Sequence, residues 1–191
     1  MTRFRDLHED DSTSGPPRQA PSWLEGRLET ETHSPYDPST WDGLYLSFFN
    51  HFFPPQQQFI VEFKSHVAAD LPGEASWIPD FVVSKVNESG TGDRTLVIVE
   101  TRRPGHEGQD FQKPLDSQLA RYMMEFAQTH HHTEKILGLW ISGVEVWVLE
   151  MSAGDSRESK VISHFPRICS ITGSKVYSEL YTVAATHWGP Y

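Results

Sequence analysis

Two carboxylates stand at the ends of adjacent apolar runs. Asp80 follows Pro79 near the head of the run at 78–86 (IPDFVVSKV), and Glu100 sits near the end of the run at 95–101 (TLVIVET), twenty residues further on. The turn-rich stretch ESGTGD between them reads as a hairpin connection. A hairpin of that length sets the start of one strand beside the end of its neighbour, so the two carboxylates face each other at a sheet edge. Such a pair suits Mg²⁺ or Mn²⁺, hard cations that take carboxylate and water oxygens. An ion held there activates water and stabilises the charge that develops on a phosphodiester. Two nearby carboxylates also repel, so at least one is expected to hold its proton to an unusually high pH without metal. Arg102 lies two residues past Glu100, on the same strand face, where a fixed cation can support developing charge.

The elements that must position these residues follow from periodicity. Trp41, Leu44, Tyr45, Phe48, Phe49 and Phe52 repeat at helical spacing, which predicts a helix capped by Ser39 or Thr40, running through Phe53 and stopped by Pro54 and Pro55. Strands are predicted at 59–63 (FIVEF) and at the two runs above. A Gly- and Pro-rich loop spans 103–113. The stripe Leu115, Leu119, Tyr122, Met123 and Phe126 then predicts a helix over 115–129. Strands at 135–141 and 144–151 are joined at Ser142 and Gly143. A further strand at 161–165 and a closing helix at 174–186 complete an α-β-β-β-α-β order followed by β-β-α.

The pattern Pro79-Asp80 on the second strand and Glu100-Thr101-Arg102 on the third resembles the PD-(D/E)XK nuclease superfamily. Gln118 and Tyr122, in QLARY on the next helix, are similar to the Q-x-x-x-Y of its RecB-like branch. The resemblance covers roughly residues 41–142. It implies an α/β, restriction-endonuclease-like αβββαβ core, a mixed central sheet flanked by helices, with extra C-terminal strands and a helix. It further implies Asp80 and Glu100 as metal ligands, the carbonyl of Thr101 as a third, and Gln118 and Tyr122 lining the site from the helix. The implied activity is metal-dependent phosphodiester hydrolysis of DNA or RNA.

One residue departs from that pattern. The family's motif lysine, which orients or deprotonates water, is Arg102 here, and an arginine stays protonated at any working pH. It can clamp phosphate. A lysine supplied from elsewhere is sought first at Lys113, then at Lys64; Lys85, five residues past Asp80, points to the opposite strand face. The alternative is a nuclease-fold protein without cleavage that serves as an interaction module for protein partners.

Charge bears on both readings. The chain of 191 residues carries a net charge of −10, and four arginines against eight carboxylates in the first 40 residues account for −4 of it. The remainder is still acidic, which disfavours tight nucleic-acid binding because phosphate neutralisation supplies most non-specific affinity. Residues 1–38 are rich in Ser, Thr, Pro and charge and read as a flexible acidic tail, with a brief ordered patch at Trp23 and Leu24; residues 39–191 form one domain. A single cysteine, an acidic start and no apolar stretch of membrane-spanning length suggest an intracellular chain without a membrane partner.

The other conspicuous residues have plainer readings. His130, His131 and His132 follow a helix end and suit its dipole. Cys169 reads as a buried thiol, Glu62 as an exposed strand residue, and Asp42 as a helix N-terminal charge. Trp140 and Trp147 are expected to pack on the two faces of the sheet.

Overall fold

Asp37 and Pro38 start the aromatic helix. The Asp37 carboxylate accepts the backbone N–H of Ser39 at 3.0 Å, and Pro38 occupies the first turn, where a missing N–H is harmless. The cap is therefore Asp37 rather than Ser39 or Thr40. The computed structural model describes residues 15–34, 37–63, 79–87, 92–102, 118–129, 135–152 and 168–189. Within them the helices are α1 (Ser22–Glu31), α2 (Pro38–Phe52), α3 (Gln118–Thr129) and α4 (Ser174–Thr186). The strands are β1 (Phe59–Phe63), β2 (Phe81–Lys85), β3 (Arg94–Arg102), β4 (Lys135–Ser142), β5 (Glu145–Ser152) and β6 (Ile168–Ser170). From α2 to β4 the order α-β-β-β-α-β stands as expected.

The strands form one mixed sheet in the order β1-β2-β3-β4-β5-β6. Among the described strands only β3 and β4 pair in parallel, with α3 in the crossover between them; the other neighbours are antiparallel. These two central strands are buried on both faces and read as continuous apolar runs. A bulge between β2 and β3 shifts the register past Val83, so Ser84 pairs with Thr95.

Each face of the sheet carries its own core. On one face, Trp41, Leu44, Tyr45, Phe48, Phe49 and Phe52 of α2 pack with α4 residues Val176, Tyr177 and Leu180 over Phe81, Val83, Val97, Val99 and Leu139. On the other, Leu119, Tyr122, Met123 and Phe126 of α3 cover Val82, Ile98, Ile136 and Trp140. Gly138 lets α3 approach β4 closely, since a Cβ there would run into Met123 Sδ. No helix among the described residues is long and apolar enough to cross a membrane.

The expected tail is corrected over residues 15–34. Helix α1 buries Leu24 and Leu28 in the larger core, at 1% and 0% exposure. The Tyr177 hydroxyl donates to the Glu25 carboxylate, His51 Nε2 lies 2.8 Å from the Gln19 carbonyl oxygen, and the Arg18 guanidinium sits over the Tyr181 ring. Two leucines one turn apart, with Gly26 between them, are too faint a stripe to stand out in a polar sequence. Residues 1–14 lie outside the described residues.

The two tryptophans are also corrected. Trp140 pairs directly with Trp147 across β4 and β5, and both belong to the α3 face. Across a two-residue hairpin turn, here at Gly143 and Val144, an even and an odd residue come to share a face. Strand β6 is an addition at Ile168–Ser170, with Cys169 opposite Val146. The strand expected at 161–165 and the histidines at 130–132 lie outside the described residues.

Candidate functional site

Strand β2 begins where β3 and β4 end, and the expected residues gather at that end of the sheet. Phe81 pairs with Val99, so the register extended by one position sets Asp80 opposite Glu100. Strand alternation puts both on the face of Val82 and Ile98, which is the face α3 covers. Glu100 lies beside Trp140 in the parallel ladder, and Arg102 beside Ser142.

Asp80 is held by the middle residue of the Glu-Thr-Arg run. Its Oδ2 accepts both the backbone N–H and the hydroxyl of Thr101, each at 2.7 Å. A carboxylate thereby takes an N–H at the edge of the β2 ladder, and Oδ1 takes part in neither bond. The sequence pointed to the Thr101 carbonyl, whereas the N–H and hydroxyl of Thr101 are what fix Asp80. The hydroxyl was legible only as a threonine beside the acidic residue.

Glu100 is the most constrained of the group. The residue is 5% exposed, and its Oε1 lies 3.1 Å from Arg102 Nη2. Its buried Oε2 has no hydrogen-bond partner among the described residues. Burial pushes its pKa up to about 7, the negative charge of Asp80 adds to the rise, and Arg102 opposes it. The expectation of one raised carboxylate holds, with desolvation rather than repulsion as the larger cause.

Arg102 bridges the strand to the helix. Its Nη2 also donates to Gln118 Oε1 at 3.2 Å, and its guanidinium carbon stands 5.9 Å from the centre of the Trp140 ring. The Gln118 amide passes the connection on, with Nε2 donating to the Tyr122 hydroxyl. Residues four apart on α3 face the same way, which is why this relay forms within one turn. Burial raises the Tyr122 pKa, the Gln118 hydrogen bond lowers it, and the charges of Glu100 and Asp80 raise it further. Tyr122 stays a neutral phenol. Trp140 was missed as a neighbour of the site because a parallel register between distant strands leaves no local mark in the sequence.

The remaining candidates divide. Lys85 is on the opposite face, wholly buried, with Nζ donating at 2.6 Å to the carbonyls of both Gln57 and Gly189 and lying over the Phe59 ring. Asp42 is on α2, which packs on that same opposite face. Glu62 is exposed on the edge strand β1. Lys113 and Lys64 lie outside the described residues. Among the described residues no group of three His, Cys, Asp or Glu converges.

The donor set fits a hard divalent cation. Glu100 Oε2 is a buried carboxylate oxygen with no partner among the described residues, and Asp80 is close enough for its charge to act on Glu100. No family model matches the chain, and no curated protein or solved structure matches it.

Proposed function

We propose that the chain is a metal-dependent phosphodiester hydrolase of the PD-(D/E)XK type, acting on DNA or RNA at the Asp80–Glu100 centre. The observation that supports it most strongly is the Oε2 of buried Glu100, which has no partner among the described residues, beside Asp80. Burying a carboxylate oxygen without a hydrogen-bond partner is costly for a fold, and a cation bound there would offset that cost. Asp80, Glu100 and the Thr101 carbonyl would hold Mg²⁺ or Mn²⁺, with the other positions left to water. The ion would supply Lewis-acid stabilisation of the charge that develops on the phosphodiester.

The chain's own residues divide the remaining work. The two Thr101 bonds hold the Asp80 carboxylate beside the end of β3. Arg102 is half exposed at the mouth of the site, where its planar guanidinium matches a phosphate. Gln118 holds Arg102 from α3, and Tyr122 in turn accepts from Gln118. No proton acceptor follows from Arg102, so a base must come from another group, with Lys113 first on grounds of sequence.

A specific contact favours a second reading. Arg102 already engages Glu100, and the net charge of −10 weakens attraction to phosphate. Both suit an inactive nuclease-fold module. Cleavage of plasmid and of single-stranded nucleic acid in Mn²⁺, against an EDTA control, separates the two. The hydrolase cuts, Glu100→Ala abolishes cutting, and Arg102→Lys preserves or raises the rate. Lys113→Ala costs about two orders of magnitude if that lysine is the base. Intact substrate with wild type and every variant leaves the interaction module.

A further inference from the structure

Arg102 sits where its charge matters most to a metal ion. Nη2 touches Glu100 Oε1 at 3.1 Å and Gln118 Oε1 at 3.2 Å, so one nitrogen ties the acidic strand to α3. The Arg102 side chain is 44% exposed while that of Glu100 is 6% exposed, so the arginine closes the solvent side of a carboxylate otherwise sealed by protein. Trp140 lies against the guanidinium and steadies it over the site. A simple structural ion pair would neutralise both oxygens of a buried carboxylate, because an orphaned lone pair in a low dielectric is unfavourable. Here one oxygen is capped by the arginine and the other has no partner among the described residues.

We propose that Arg102 is a built-in competing cation that restrains divalent-ion loading at Asp80 and Glu100. The inference rests on the metal-site reading above and adds its regulation. A divalent ion bound to Glu100 Oε2 must approach within a few ångströms of a fixed positive charge, and like charges at that range in a partly desolvated site repel strongly. It must also share Glu100 with an ion pair already made. Only movement of the guanidinium removes both obstacles. The arginine side chain is exposed enough to swing outward, and a phosphate group is the natural acceptor for it. In this chain the residue that replaces the family's lysine therefore sets how tightly the ion binds.

The test is calorimetric titration of Mn²⁺ at pH 8, where the Glu100 proton competes least, with free Mn²⁺ checked by its paramagnetic resonance signal. Arg102→Gln keeps a side-chain amide near Gln118 and removes the charge; Arg102→Met keeps the stem and serves if the first variant folds poorly. The expected result is a Kd at least tenfold lower in the variants than in wild type, abolished when Asp80→Asn is added. Equal or weaker Mn²⁺ binding by both variants, with wild type binding, overturns the restraint and leaves the metal site standing. Tight binding that survives Asp80→Asn also overturns it, because the ion is then elsewhere. No binding by wild type or by either variant overturns the restraint and the metal-site reading together.

Discussion

Among the described residues two charged side chains are buried in the sheet, Lys85 and Glu100, and their surroundings differ. Lys85, on the α2 face, is fully enclosed, with two carbonyl oxygens at 2.6 Å and an aromatic ring against its ammonium. Glu100, on the α3 face, has one oxygen engaged and the other without a partner among the described residues. The first arrangement joins the segment after α4 to the 3₁₀ turn ahead of β1, and it is what a structural buried charge requires. The second is unfinished. Leaving a buried carboxylate oxygen without a partner costs stability, so the difference separates a charge whose contacts serve the fold from one whose contacts do not.

The comparison breaks most easily at Lys85. Lys85→Met keeps much of the apolar stem but strands two carbonyls, and the expected loss is about 2–6 kcal/mol, from about 1–3 kcal/mol for each acceptor left without its donor. Urea denaturation monitored by tryptophan fluorescence reads it directly. Mn²⁺ affinity of the folded fraction should not change. A variant as stable as wild type would show that Lys85 is not a structural tie.

Glu100→Gln should act in the opposite direction. In the unfolded chain a glutamate loses its proton near its ordinary value of 4.5, whereas in the fold Glu100 keeps it to about 7. Between those values the folded state binds more protons, so this group's contribution to stability is complete below 4.5 and is lost as the pH rises through 7. The groups facing it are Asp80, which adds to the loss, and Arg102, which reduces it. In EDTA, wild type should therefore weaken between pH 4 and pH 8 by on the order of 3 kcal/mol more than Glu100→Gln. Parallel pH profiles for the two proteins would mean that Glu100 is better solvated than its position indicates.

The smallest effect sharpens the picture of Asp80. Thr101→Val keeps shape and strand propensity but removes the hydroxyl that donates to Asp80 Oδ2, leaving the backbone N–H alone. The expected cost is about 1 kcal/mol in stability. Because Asp80 is then less well oriented, Mn²⁺ affinity should fall several-fold. Unchanged metal affinity with reduced stability would assign the hydroxyl to the fold alone.

Much of this was legible in residue order. The aromatic stripe of α2, the alternation that places Asp80 on the opposite strand face from Lys85, and the i, i+4 pairing of Gln118 with Tyr122 are local consequences of helix and strand periods. So was the meeting of Asp80 with Glu100, because a hairpin fixes register within a few residues. Other features depended on contacts between distant segments. Helix α1 is helical and buried because Leu24 and Leu28 find a surface made by α2 and α4, not because its own sequence is strongly amphipathic. Trp140 stands beside Glu100 only because β3 and β4 pair in parallel at one register out of several. Arg102 was visible from the start as a departure, but its hold on Glu100 and Gln118 depends on where α3 lands, and Gly138 sets how closely α3 can approach. Sequence thus determined which chemical groups were available and which faces they shared. Tertiary packing decided which of those groups lost their water, and desolvation is what turns a carboxylate on a strand into one with a pKa of about 7 and an oxygen left over.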